Sequence, residues 1–184
     1  MHLMILRAQE SVLVVVDVQE RLLPAIHESD RVVRHAGMLL KAAAALSVPV
    51  LVTEQYPRGL GPTVEAVRAD LPPGTPVIEK ITFGCTGEPA FNAAVEELKR
   101  PQIVLCGTEA HVCVMQTALG LRQQGHAVYL VADAVSSRTP ANHAAALERM
   151  RAAGVTIVTT EMVLFEWMER AGTPVFKVVS ALVK

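Results

Sequence analysis

A three-layer α/β/α sandwich around one six-stranded parallel sheet is the fold this sequence predicts, and three observations predict it. Six short apolar, β-branched runs recur along the 184 residues. They are apolar throughout rather than alternating, as strands covered on both faces are. Helical patterns separate most of them, which supplies the long right-handed crossovers that parallel neighbours need.

The elements follow in order. Residues 11–17 (SVLVVVD) read as the first strand, and 30–46 as an Ala/Leu-rich helix with Asp30 as N-cap and Pro49 beyond its end. A second strand spans 50–53; the Pro and two Gly of 56–61 (YPRGLG) mark a loop, and 63–69 a short helix. A turn at 72–76 leads to a third strand at 77–80, followed by a helix over 88–99. Strand four is 102–107 (QIVLCG) and its helix 111–124. Strand five is 128–132, with a helix over 140–153 that Gly154 stops. Strand six is 155–159, then come a helix over 161–170 and a helical tail over 174–183. No linker or low-complexity tract interrupts the chain, so residues 1–184 are expected to form a single domain.

Composition excludes several classes. Apolar residues make up 51% but aromatics only 4%, so Val, Ala and Leu must fill the core. Seventeen basic and 18 acidic residues leave a net charge of −1, which argues against a nucleic-acid or anionic-membrane surface. The apolar run 12–16 ends at Asp17, far short of a membrane span, and the first residues do not read as a secretory leader. A cytoplasmic protein is expected. Three cysteines without a CxxC pair suggest neither a disulfide frame nor a structural zinc site.

Ligands of open parallel sheets bind at the carboxyl ends of the strands. Three residues there stand out: Asp17 closing strand one, Lys80 closing strand three, and Cys113 six residues past Gly107. If strands one and four flank the switch point, Asp17 and Cys113 face one crevice. A helix start and a nearby ammonium both favour a thiolate. A carboxylate in reach can take the thiol proton and return it to a leaving amine. Backbone amides in the turn before the helix can hold an oxyanion. Taken singly, Asp17 suits a cap, Lys80 a solvated edge and Cys113 a core position; together, in order and at strand ends, they point to acyl transfer onto Cys113 and hydrolysis of the thioester.

The segments VVDVQ at 15–19, EK at 79–80 and GTEAHVC at 107–113 resemble the isochorismatase-like cysteine hydrolase superfamily, whose members include nicotinamidases and N-carbamoylsarcosine amidohydrolase. TEQYPRGLGPT at 53–63, DAVSSR at 133–138 and the stretch 148–154 are similar to its isochorismatase domain-containing subgroup. The resemblance implies a Rossmann-like hydrolase fold with Asp17 as acid/base, Lys80 as activating cation and Cys113 as nucleophile. It also implies a non-proline cis peptide between Thr108 and Glu109, with the amides of Glu109 and Cys113 as the oxyanion hole. Nicotinamidases bind a metal through an Asp-x-His pair after strand two. Here that region reads Glu54-Gln55-Tyr56, and no His lies between His35 and His111, so no metal or other cofactor is expected. True isochorismatases usually lack the cysteine; its presence favours amide-type hydrolysis.

Gln19, Tyr56, Phe83 and His111 are the candidate substrate contacts. Cys106 is expected in the core and Cys85 as an inert thiol near the pocket. The expected partner is a small molecule, with no nucleic acid and no membrane. The Ala-rich helices and apolar C-terminal segment point to a homo-oligomer, a dimer or larger. Two alternatives remain: a binding or assembly module with a vestigial site, and an acid-catalysed ether hydrolase of the isochorismatase type. Nucleotide binding ranks last, because no glycine-rich phosphate loop follows strand one.

Overall fold

A computed structural model describes residues 5–184; residues 1–4 lie outside the described residues. Six parallel strands form one sheet in the order β3-β2-β1-β4-β5-β6. They are β1 (Ser11–Val16), β2 (Val50–Gln55), β3 (Val77–Lys80), β4 (Gln102–Gly107), β5 (Ala127–Val135) and β6 (Thr156–Val158). The chain order reverses between β1 and β4, which makes their carboxyl ends the topological switch point.

The period-two geometry of a strand divides the core in two. Leu13, Val15, Val50, Val52, Val104 and Cys106 face one layer, formed by α1 (Ser29–Leu46), α7 (Thr160–Met168) and α8 (Pro174–Ser180). Val12, Val14, Val16, Leu51, Ile103 and Leu105 face the other, formed by α4 (Pro89–Leu98), α5 (Met115–Gln123) and α6 (Pro140–Ala152). Both faces of β1 and β4 are therefore buried, as their unbroken apolar runs require. Two one-turn helices, α2 (Pro57–Leu60) and α3 (Glu65–Arg68), occupy the β2–β3 connection.

The differences from the sequence reading have local causes. β2 runs two residues further than expected, because Glu54 and Gln55 pair with Glu79 and Lys80 of β3. β5 extends to Val135 through Asp133. The YPRGLG segment is not open loop: Pro57 opens a single helical turn. Asp30 does not cap α1; Glu28, in a left-handed conformation, stands at that N-cap. The helix expected over 111–124 is two pieces, a π turn at Ala110–Val114 and then α5. The apolar C-terminal segment expected at a subunit contact is largely consumed within the chain. Val179 is buried, and Val175, Phe176, Leu182 and Val183 pack against the same core as α1. No helix of the described residues is long and apolar enough to cross a membrane.

Candidate active site

β1, β2, β3 and the β4–α5 turn deliver the site. Asp17 follows β1 with φ 49°, a left-handed turn that lifts its side chain out of the strand's alternation. Its N–H donates to the Thr53 carbonyl of β2 at 3.1 Å, and its own carbonyl accepts the Thr108 hydroxyl at 2.6 Å. The residue is thus tied to both neighbouring strands. Its carboxylate is fully buried: Oδ1 accepts the Thr53 hydroxyl at 2.8 Å, and Oδ2 lies 2.8 Å from Lys80 Nζ.

Lys80 reaches in from β3, the sheet edge. Its Nζ donates to Gln55 Oε1 at 2.6 Å, to the Phe83 carbonyl at 2.8 Å and to the Thr82 carbonyl at 3.2 Å. An ammonium has three protons, which these carbonyl acceptors and the Asp17 carboxylate, at 2.8 Å from the same nitrogen, share. The Lys80 protons are thus directed at groups of the chain itself, and its influence on the site is chiefly electrostatic.

Cys113 sits in the π turn, buried within the same core layer as Val114 and Ala118, with its thiol in hydrogen-bonding reach of Asp17. The structure therefore brings Asp17, Lys80 and Cys113 together at the switch point. It also carries the cis peptide between Thr108 and Glu109. The Glu109 amide donates to no acceptor among the described residues. The Glu109 side chain turns away and pairs with Arg138, Nε to Oε1 at 2.6 Å.

Burial pushes the Asp17 carboxyl above its usual range, more than the Lys80 charge, its hydrogen bonds and the Cys113 contact pull it down. Burial alone would lower Lys80, but the charges of Asp17 and Cys113 leave it above its ordinary value and firmly protonated. Burial, and then the Asp17 charge, push the Cys113 thiol up against the pull of Lys80. Burial thus opposes the thiolate that the cation favours, which leaves Asp17 as the group to take the thiol proton.

The pocket candidates divide. Gln19 is fully buried and its amide is spent on the chain itself: Nε2 donates to the carbonyls of Gln55 and Gly61 at 2.9 and 2.8 Å, and Oε1 accepts the Gln55 N–H at 2.8 Å. It is a brace for the β2 end, not a free substrate contact. Tyr56 and Phe83 expose about half of their rings, 52% and 56%, beside the Lys80 loop. Half-buried His111 is held by Ser137 Oγ at 2.9 Å. Cys106 lies in the core with its thiol pushed up to about 12 by burial, and Cys85 is buried with its thiol pushed up to about 11, first by burial. At the other strand ends, Glu54 accepts the N–H and hydroxyl of Thr63, and Asp133 those of Thr160. Both carboxylates anchor loops. Among the described residues no group of three His, Cys, Asp or Glu is placed to hold a metal.

Three residues escaped sequence reasoning: Thr53, Gln55 and Thr108. Thr53 had a readable signal, since it is a polar residue on the strand face that Leu51 fills with an apolar one.

Residues 11–162 match the family model described as the isochorismatase domain. The chain belongs to the isochorismatase family. A zebrafish (Danio rerio) isochorismatase domain-containing protein 2 is 40% identical over 179 residues, covering 96% of this chain and 88% of that protein. A solved Caenorhabditis elegans structure described as MAR1 ribonuclease is 35% identical, with a TM-score of 0.92 over 97% of this chain and 91% of its own. Pseudomonas aeruginosa YcaC, solved with hexane-2,5-diol and covalent acrylamide, shares the fold at 22% identity, with a TM-score of 0.91 over 99% of this chain and 93% of its own. As an isochorismatase-family member of this fold, the protein is a hydrolase of the isochorismatase-like superfamily.

Proposed function

We propose that the chain hydrolyses a C–N bond in a small amide, imide or carbamoyl compound through a thioester on Cys113. The observation that carries this reading is the single carboxylate, Asp17, within reach of both a thiol and an ammonium at the switch point. Burial raises the Asp17 carboxyl, which makes it a stronger base towards the neighbouring thiol than an ordinary carboxylate is. The Cys113 proton moves to Asp17 as sulfur bonds to the carbonyl carbon. The oxyanion forms opposite the amides of Glu109 and Cys113. Collapse breaks the C–N bond, and Asp17 returns the proton to the departing nitrogen. A water then gives a proton to Asp17 and its oxygen to the thioester, releasing the acid and restoring the thiol. Lys80 keeps the carboxylate charged between these transfers.

No metal enters the scheme, because the last two positions of β2 are otherwise engaged: Glu54 by Thr63 and Gln55 by Lys80 and Ile81. The acrylamide held covalently by YcaC is an unsaturated amide, which agrees in kind with an amide substrate. The name of the nematode relative raises RNA as a substrate, but a chain of net charge −1 carries no overall positive charge to favour phosphate binding. We place the enzyme in the cytoplasm, as a dimer or larger assembly. The exposed Ile81, Phe83 and Tyr56 beside the Lys80 loop are apolar surface for such a contact.

The test is a panel of small amides, imides and carbamoyl compounds, with RNA as a control, against wild type and Cys113→Ala. Turnover lost in the variant and an acyl adduct on Cys113 by mass spectrometry are expected. Full turnover in Cys113→Ala would move the reading to ether hydrolysis driven by Asp17, and stoichiometric binding without turnover to a vestigial site.

A further inference from the structure

Asp17 carries two oxygens in different company. Oδ1 accepts the Thr53 hydroxyl at 2.8 Å, while Oδ2 faces the Lys80 ammonium at 2.8 Å. Both residues are fully buried, so water does not even out the difference. Thr53 is itself ordered from behind. The Cys85 thiol lies 3.7 Å from Thr53 Oγ1 and donates to it. A hydroxyl has one proton, and with a thiol donating into its oxygen, that proton is left to point at Oδ1. Cys85 is fully buried and pinned in turn: its N–H donates to the Thr117 hydroxyl at 2.9 Å, which donates to the Cys113 carbonyl at 2.7 Å. The chain of contacts thus runs from the nucleophile's backbone through Thr117, Cys85 and Thr53 to the carboxylate that faces the same nucleophile.

We propose that Thr53, ordered by Cys85, is a positioning residue that fills Asp17 Oδ1 and thereby reserves Oδ2 as the atom that takes and returns the Cys113 proton. This rests on the cysteine hydrolase reading. A donor held on Oδ1 favours the charged carboxylate and opposes protonation there. Rotation of the carboxylate, which would swing the working oxygen away from the thiol, is opposed because the Thr53 hydroxyl holds Oδ1 while its carbonyl accepts the Asp17 backbone N–H. Cys85 acquires a role that needs no thiolate, in keeping with a proton bound more tightly than in an ordinary thiol.

The experiment is the pH dependence of Cys113 alkylation by iodoacetamide, followed by mass spectrometry in wild type, Thr53→Val, Thr53→Ser and Cys85→Ala. Alkylation falls on the acid side as Asp17 becomes protonated and can no longer accept the thiol proton. Thr53→Val keeps the shape and removes the donor, so its acid limb should move up by about one pH unit. Thr53→Ser restores the donor and should return the limb to the wild-type position. Cys85→Ala frees the hydroxyl to rotate and should shift the limb in the same direction by less. An unmoved limb in Thr53→Val, or a serine variant that behaves like valine, overturns the role of Thr53 while leaving the nucleophile intact. Should Thr53→Val fail to fold, an unmoved limb in Cys85→Ala does the same. Wild type with no alkylation at Cys113 at any pH removes the nucleophile reading and this inference with it.

Discussion

Lys80 Nζ stands 2.8 Å from Asp17 Oδ2, and neither side chain is accessible to solvent. Breaking a buried pair strands the remaining charge, at about 3–5 kcal/mol. Lys80→Met should therefore lower stability by about that much, read from urea unfolding, and should reduce turnover by orders of magnitude. The double variant Lys80→Met with Asp17→Asn should regain much of the stability and none of the activity. If the single variant is as stable as wild type, the pair is not buried in solution.

Gln19→Ala should damage the protein through stability rather than through substrate affinity. It removes three hydrogen bonds at the end of β2 and leaves the buried Gln55 amide without an acceptor, at a cost of about 1–3 kcal/mol for the orphaned group. The comparison is the urea midpoint against the Michaelis constant. A raised KM with an unchanged midpoint would return Gln19 to the substrate pocket.

Gly107→Ala should not yield folded protein. Gly107 has φ 118°, and an added Cβ would lie 2.0 Å from the Val16 carbonyl oxygen. That atom is the acceptor for the Thr108 N–H at 2.8 Å, so the strain falls on the junction of β1 and β4. Soluble expression and circular dichroism give the readout; a well-folded alanine variant would mean that these strand ends separate without cost.

Stability should fall on the alkaline side. Burial, as the first cause, raises all three thiols, Cys85 to about 11 and Cys106 to about 12, and the charges around Lys80 raise it as well. Groups raised in the folded state bind protons more tightly there than when unfolded. Their contribution is whole below the unfolded values, about 8.5 for a thiol and 10.4 for a lysine, and is lost as pH climbs towards the folded ones. The urea midpoint should decline from about pH 9 upward, and Cys106→Ala should flatten part of that decline. A midpoint that holds steady to pH 11 would show the thiols to be ordinary.

Most of this architecture was legible because β1 and β4 are apolar on both faces, a pattern that only a covered parallel sheet satisfies. The strand-end positions of Asp17 and Lys80 followed from that, and Gln102–Gly107 has the bounds the pattern gave. What stayed hidden depends on partners distant in sequence. Gln19 reads as a polar residue beside an acid; only the folded path of residues 55–61 shows that its amide is already used. The end of β2 was missed because Glu54 and Gln55 are not strand formers by type, and their pairing with β3 overrides that preference. The balance at the thiol was hidden for a similar reason: sequence shows the cation that favours a thiolate but not how dry its surroundings are.

The π turn at Ala110–Val114 makes the site far less tolerant of a change in length than of a change in residue. A helix advances by about 100° per residue, and the widened turn accommodates one residue more than regular α-helical winding would. Downstream, Thr117, Ala118 and Leu121 are locked into the buried layer; upstream, Gly107 and Thr108 are locked to Val16. Removing Ala110 would close the loop of five into an ordinary turn and swing either the sulfur or the whole of α5 through that angle. Single-residue deletions between 108 and 114 should thus be lost from any library selected for activity, even where point substitutions at the same positions survive.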